Sequence, residues 1–226
     1  MDRARAEQRR EMGGMRFLML QADRLEWRSN EGEPVGLFEG QGWYGGDRSR
    51  LWLKTEIEAL LDAPRGVDEL EGLELQALSS RPISPYFDLQ VGVRHDFEPG
   101  PSRSFAVIGV QGLAPQWFEV DLALFLSEDG DLSSRLEAEY EMLFTQRLSL
   151  QLRAEVELEA SDVPELGTGS GLSEVEAGAR LAYGRVFAPY VGVEWEEKLG
   201  GTADFARAEG EETSSVSAVF GFRFWY

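Results

Sequence analysis

Apolar and polar residues alternate with a period of two along most of this chain. Leu148, Leu150, Leu152, Ala154, Val156, Leu158 and Ala160 are apolar, whereas the interleaved Arg147, Ser149, Gln151, Arg153, Glu155, Glu157 and Glu159 are polar. Successive side chains of a strand point to opposite faces, so this segment predicts a strand with one apolar and one charged side. Leu132 to Phe144 repeats the pattern, with Leu136, Ala138, Tyr140 and Met142 set against Arg135, Glu137, Glu139 and Glu141. Phe118 to Leu126 and Val216 to Tyr226 repeat it again. Such segments predict about twelve strands, near residues 15–28, 35–45, 50–60, 67–80, 84–97, 103–113, 116–127, 132–145, 147–160, 171–184, 186–197 and 213–226. At about 10 to 14 residues each, they exceed the ~5–6 of soluble sheets and are long enough to cross a bilayer at a tilt.

The connections carry a second regularity. Those after even strands are tight, as at Gly45-Gly46-Asp47, Thr145-Gln146 and Gly184-Arg185. Those after odd strands are mostly longer and polar, above all Ser161 to Ser170 and Lys198 to Glu212. Short periplasmic turns alternating with longer outer loops characterise outer-membrane barrels. Phe17, Tyr44, Phe87, Phe118, Phe144, Tyr183, Phe187 and Tyr226 fall on the apolar face near the tight-turn rim, and Phe97 and Trp195 near the other. Aromatic side chains favour the boundary between hydrocarbon and head groups, which makes these a predicted girdle. The expected fold is therefore all-β: an antiparallel transmembrane β-barrel of about twelve strands over residues 15–226, with periplasmic termini. Residues 1–14 are expected to form a tail or short helix. A soluble sandwich or closed barrel would also alternate, but strand length and loop parity count against it.

Charge then narrows the function. The 22 Lys and Arg against 41 Asp and Glu leave a net charge of −19, which disfavours nucleic acid as a partner. Without cysteine there are no disulfides or thiolate metal sites. No apolar run reaches the ~18 residues of a spanning helix. The start is charged from Asp2 and lacks the apolar core of a signal peptide, which leaves open an intracellular protein or a processed form.

Catalytic chemistry finds little support. His95 is the single histidine, no G-x-S-x-G elbow occurs, and Gly167-Thr-Gly-Ser-Gly171 lacks the Lys-Ser/Thr of a phosphate loop, so the chain is not expected to be an enzyme. Carboxylates crowd the predicted lumen face, among them Asp88, Asp96, Glu119, Asp121, Glu137, Glu139, Glu155 and Glu157. They either pair with Lys54, Arg94, Arg135, Arg153, Arg180 and Arg223 to fill the interior, or attract cations along a low-dielectric wall. Met12, Met15 and Met19 cluster at the first strand, and thioethers with an imidazole are soft ligands that suit Cu(I). Methionine in a strand also serves as plain apolar filling.

Several dispersed runs bear on the choice: Gly13-Gly-Met-Arg-Phe17, Gly42-Trp-Tyr-Gly-Gly-Asp47, Leu51-Trp-Leu-Lys-Thr-Glu56, Arg81-Pro-Ile-Ser-Pro-Tyr86, Gly92-Val-Arg-His-Asp-Phe97, Phe187-Ala-Pro-Tyr-Val-Gly192 and Gly200-Gly-Thr-Ala-Asp204. With these the chain resembles the CopB family, outer-membrane copper resistance protein B, from about residue 12 onwards. The resemblance implies a barrel in the bacterial outer membrane, in contact with its lipid, that binds copper and takes part in copper resistance and homeostasis. Met15 and His95 lie inside matching motifs, with Met12 and Met19 close to the first, so these four are the copper candidates. A periplasmic copper protein is a candidate partner. Family members often carry a Met- and His-rich extension before the barrel; residues 1–14 here hold two methionines and no histidine, so high-capacity capture is not expected of them. The alternative is a cation-attracting, porin-like channel without a specific metal site.

Overall fold

The computed structural model describes residues 15–30, 33–62, 66–98 and 101–226. Its wall is made of β1 (Phe17–Asn30), β2 (Glu33–Gly46), β3 (Ser49–Asp62), β4 (Gly66–Pro82), β5 (Phe87–Glu98), β6 (Arg103–Ala114), β7 (Phe118–Ser127), β8 (Leu132–Leu143), β9 (Leu148–Glu159), β10 (Gly171–Tyr183), β11 (Phe187–Lys198) and β12 (Ser214–Trp225). Each strand pairs antiparallel with its neighbour in sequence, and β1 closes the sheet on β12. Closure pairs the main-chain polar groups of every strand, which a hydrocarbon surrounding requires. The predicted and observed strands agree to within a few residues at their ends.

The alternation that forms the strands also sorts their side chains. Val191 and Val193 of β11 are each 54% exposed on the outer face, while Tyr190 and Glu194, which flank them, are buried at 3%. Leu122, Leu124 and Leu126 repeat this on β7, with Phe125 buried inside. Apolar side chains stand outside and charged ones inside, the reverse of a soluble barrel and the arrangement lipid demands. That inversion disposes of the soluble alternative.

The start of β1, the end of β12 and the short turns share one rim, whose outer belt includes Tyr44, Phe118, Phe144, Tyr183, Phe187 and Tyr226, all exposed. Phe17 departs from expectation. It lies two residues before Met19, whose side chain packs inward, and so takes the lumen-side parity at the rim. Loop lengths are less regular than predicted at the opposite rim, because only residues 31 and 32 separate β1 from β2. Its long connections are concentrated between β9 and β10 and between β11 and β12. The second of these holds a helix that alternation did not reveal, α1 (Gly200–Glu209), ended by Gly210 at φ 86°. Residues 1–14, the expected tail, lie outside the described residues.

Candidate functional site

The lumen is the only place where the fold gathers functional groups in number among the described residues, and a bulge in β1 helps to fill it. Pairing of β1 with both neighbours shifts register beyond Ala22, so that Asp23 and the adjacent Arg24 both face inward. From there Arg24, Glu26 and Arg28 alternate with the outward Leu25 and Trp27.

Around these residues runs a continuous ion-pair network. Arg180, 1% exposed, sets its Nε 2.5 Å from Glu26 and its Nη2 3.0 Å from Glu194. Glu26 also accepts hydrogen bonds from Tyr190 Oη at 3.0 Å and from Arg28 Nε at 3.1 Å. Arg153 reaches Glu137 at 2.7 Å and Glu176 at 2.9 Å, and it also pairs with Glu155. Arg135 lies within 2.8 Å of Glu157, 3.2 Å of Glu155, 3.4 Å of Glu74 and 3.7 Å of Glu56. Arg94 grips Asp96 through two bonds of 2.7 Å and Glu74 through one of 2.9 Å. Toward the tight-turn rim, Arg50 pairs with Asp88 at 3.1 Å and Lys54 with Asp121. Buried charges persist only when paired and hydrogen-bonded, and here Arg94, Arg135, Arg153 and Arg180 are each shared among two or more carboxylates.

This arrangement narrows the lumen. An inner cavity of about 80 Å3 near the tight-turn end and an outer vestibule of about 240 Å3 are both bounded by Arg135 and Phe125. The Arg135 guanidinium lies 5.9 Å from the Phe125 ring centroid and that of Arg94 4.7 Å from it, so the septum is a phenyl ring flanked by two cations. Over the outer vestibule, the Gly-rich connection packs on α1. The Gly169 amide donates to Thr202 Oγ at 3.0 Å, and Gly169 and Gly201 approach so closely that a side chain at Gly169 would strike the Gly201 main chain. Thr202 also lines the vestibule. In the same connection, outside the wall, the Ser170 amide donates to Asp162 at 2.7 Å and holds that carboxyl below its usual range.

The predicted acidic set is thus mostly engaged. Asp88, Asp96, Asp121, Glu137, Glu155 and Glu157 are all ion-paired, Glu139 accepts a hydrogen bond from Gln151 at 3.0 Å, and Glu119 is exposed at the tight-turn mouth. The three copper candidates among the described residues, Met15, Met19 and His95, are not brought together. Met15 is exposed before β1, and Met19 packs with Trp43 against Trp52 inside the tight-turn end. His95 belongs to the other end and the other face: its neighbours Arg94 and Asp96 point inward, while its Nδ1 lies 3.0 Å from Ser104 Oγ and its ring meets Phe97 edge-on at 4.4 Å. Met12 lies outside the described residues. Among those residues, no three His, Cys, Asp or Glu side chains converge as a metal cage. Sequence reasoning missed Arg24, Glu26, Arg28 and Glu74, although alternation from Arg24 to Ser29 was there to be read once the bulge is allowed for.

Residues 16–226 match the family model for the copper resistance protein B precursor. Copper resistance protein B of Escherichia coli is 40% identical over 206 residues, spanning 90% of this chain and 68% of that protein. Its homolog in Pseudomonas syringae pv. tomato (strain ATCC BAA-871 / DC3000) is 39% identical over 208 residues, with shares of 91% and 68%. Among solved structures, the NanC porin superposes with a TM-score of 0.58 at 11% identity, over 92% of this chain and 99% of its own. The KdgM porin gives 0.51 at 9% identity, over 91% and 98%. The likeness to the two porins is one of fold.

Proposed function

Because the chain belongs to the copper resistance protein B family and forms an outer-membrane barrel, we propose that it serves copper resistance by taking copper ions into its own lumen, as a non-catalytic ion-handling protein. The observation that carries this reading is the septum. A pore for free diffusion needs a wide aqueous path, whereas Arg135 and its four carboxylates crowd the lumen where the two cavities meet. The acidic lumen attracts cations, and a crowded centre favours holding them over passing them freely.

Equilibrium titration of the detergent-folded protein with Cu(II), with Cu(I) under anaerobic conditions and with Zn(II) tests this. Stoichiometric binding with copper preferred over zinc is expected. Equal and weak binding of all three ions would overturn it in favour of a cation-attracting channel. The same titration on a Met12/Met15/Met19/His95 quadruple alanine variant tests the soft-ligand set; retained copper binding is expected, because Met19 and His95 sit at opposite ends and on opposite faces of the wall.

A further inference from the structure

The outer vestibule differs from the rest of the lumen in that its anionic groups are not all taken. Arg94, Arg103 and Arg135 line it, but each is committed: Arg94 to Asp96 and Glu74, Arg103 to Asp129 at 2.9 Å and Asp131 at 3.0 Å, and Arg135 to Glu157. Glu159 and Glu174 line the same space and make no ion pair among the described residues. Glu174 stands opposite Glu157 of β9, which Arg135 holds, and opposite Lys198 of β11, which pairs with Glu211 at 3.0 Å. Carboxylates gathered at one height of the wall without a cation of their own call for a proton or a metal ion beside them. A second observation is independent of the acids. Ser173 is 2% exposed, lines the vestibule, and its Oγ has no hydrogen-bond partner. A buried hydroxyl left unsatisfied is destabilising, so such a group beside a cavity marks a place for a ligand atom or ordered water.

We infer that the outer vestibule is a binding site for one partly hydrated divalent cation, held by Glu159 and Glu174 with the Ser173 hydroxyl and closed over by the Thr202 side of α1. Its donors are all oxygen, and no cage of three acidic or imidazole ligands forms around it among the described residues, so the ion retains part of its water shell. Oxygen donors without thioether or imidazole select Cu(II) over Cu(I), and among first-row divalent ions the affinity order places Cu(II) highest and Mn(II) lowest. The proposal rests on the copper reading for the identity of the ion, while the site itself stands on the vestibule.

The test uses the full chain folded in detergent, with Cu(II) and Mn(II) as separate paramagnetic probes followed by electron paramagnetic resonance. One Cu(II) per chain with an oxygen-rich signature is expected. Its affinity should fall by about tenfold or more in E159Q/E174Q, by less in S173A, and not at all in E119Q at the opposite mouth. Mn(II) should bind more weakly and be lost in the same variants. Unchanged Cu(II) affinity in E159Q/E174Q would overturn the vestibule site while leaving copper binding by the barrel intact. Mn(II) and Cu(II) bound equally and both lost in the variant would support the site while removing the copper preference. No ion bound by the wild type would overturn both. Should E159Q/E174Q fail to fold, paramagnetic broadening in the wild type decides: amide signals of residues 159 and 172–175 should broaden first, and broadening centred on the tight-turn mouth would overturn the proposal.

Discussion

Glu26 shows how a single side chain is held in this lumen. Two guanidiniums and a phenol converge on its carboxylate, and its side chain has no exposed surface at all. Removing one partner of such a group leaves the others charged, buried and unanswered, which costs more than the pair ever contributed. E26A should therefore lower the unfolding free energy in detergent by about 3–5 kcal/mol, whereas replacing Glu26, Arg28 and Arg180 together by methionine should recover part of that loss, because Glu194 keeps Arg153 at 3.8 Å. Denaturant titration of the two variants checks this, and equal losses would show that Glu26 does not depend on Arg28 and Arg180. The same logic explains why most of the acidic residues picked out from the sequence are unavailable to free cations: Asp96 and Glu157 belong to arginines, and Glu159 and Glu174 do not.

At the scale of elements, strands and connections divide the work. Strands place charges at fixed heights on the inner wall, and one bulge in β1 adds Arg24, Glu26 and Arg28 to the inward Asp23, in a strand whose earlier inward residues are Met19 and Gln21. The connections decide access. The Gly-rich segment before β10 and α1 meet through Gly169 and Gly201, and no larger residue fits at that contact because a side chain there would overlap main-chain atoms. G169V should push α1 away from the vestibule without disturbing the wall. Amide exchange over residues 200–209 should rise severalfold while exchange in β9 and β10 stays as in the wild type; unchanged exchange in α1 would show that the contact does not hold it down.

For the whole molecule, the outward apolar wall and the inward ion-pair network follow from one alternation, yet they have opposite consequences. The wall places the protein in the membrane, and the network fills it. A barrel of twelve strands is wide enough for a water path, but here Arg135 and Phe125 crowd the place where two cavities meet, whose space suits small ions and a few waters. Wild-type protein in a planar bilayer should show low conductance, and R135A, which removes the guanidinium shared by four carboxylates, should raise it severalfold and make it cation-selective. A high wild-type conductance that R135A leaves unchanged would mean that the septum does not obstruct the path.

The strand count, the outward belt and the identity of the lumen face were legible in the chain, because a period of two is a local property and Leu148 to Ala160 displays it without help from the rest of the molecule. The inward charge of β8 and β9 was legible for the same reason. The β1 bulge was not, since a one-residue shift inverts the parity of everything after it and shows only in the pairing partners. Nor was α1, a ten-residue helix that opens on two glycines and buries only Thr202, Ala203 and Ala206. The tertiary structure alone decided which carboxylates are free. Glu157 and Glu159 stand on the same face of one strand, yet the β8–β9 register sets Arg135 opposite the first and Ser133 opposite the second, which lines the vestibule, while closure of the barrel brings Arg135 to Glu56 of β3 and Glu74 of β4. Pairing across a lumen depends on heights and distances between strands, and those are set when the sheet closes.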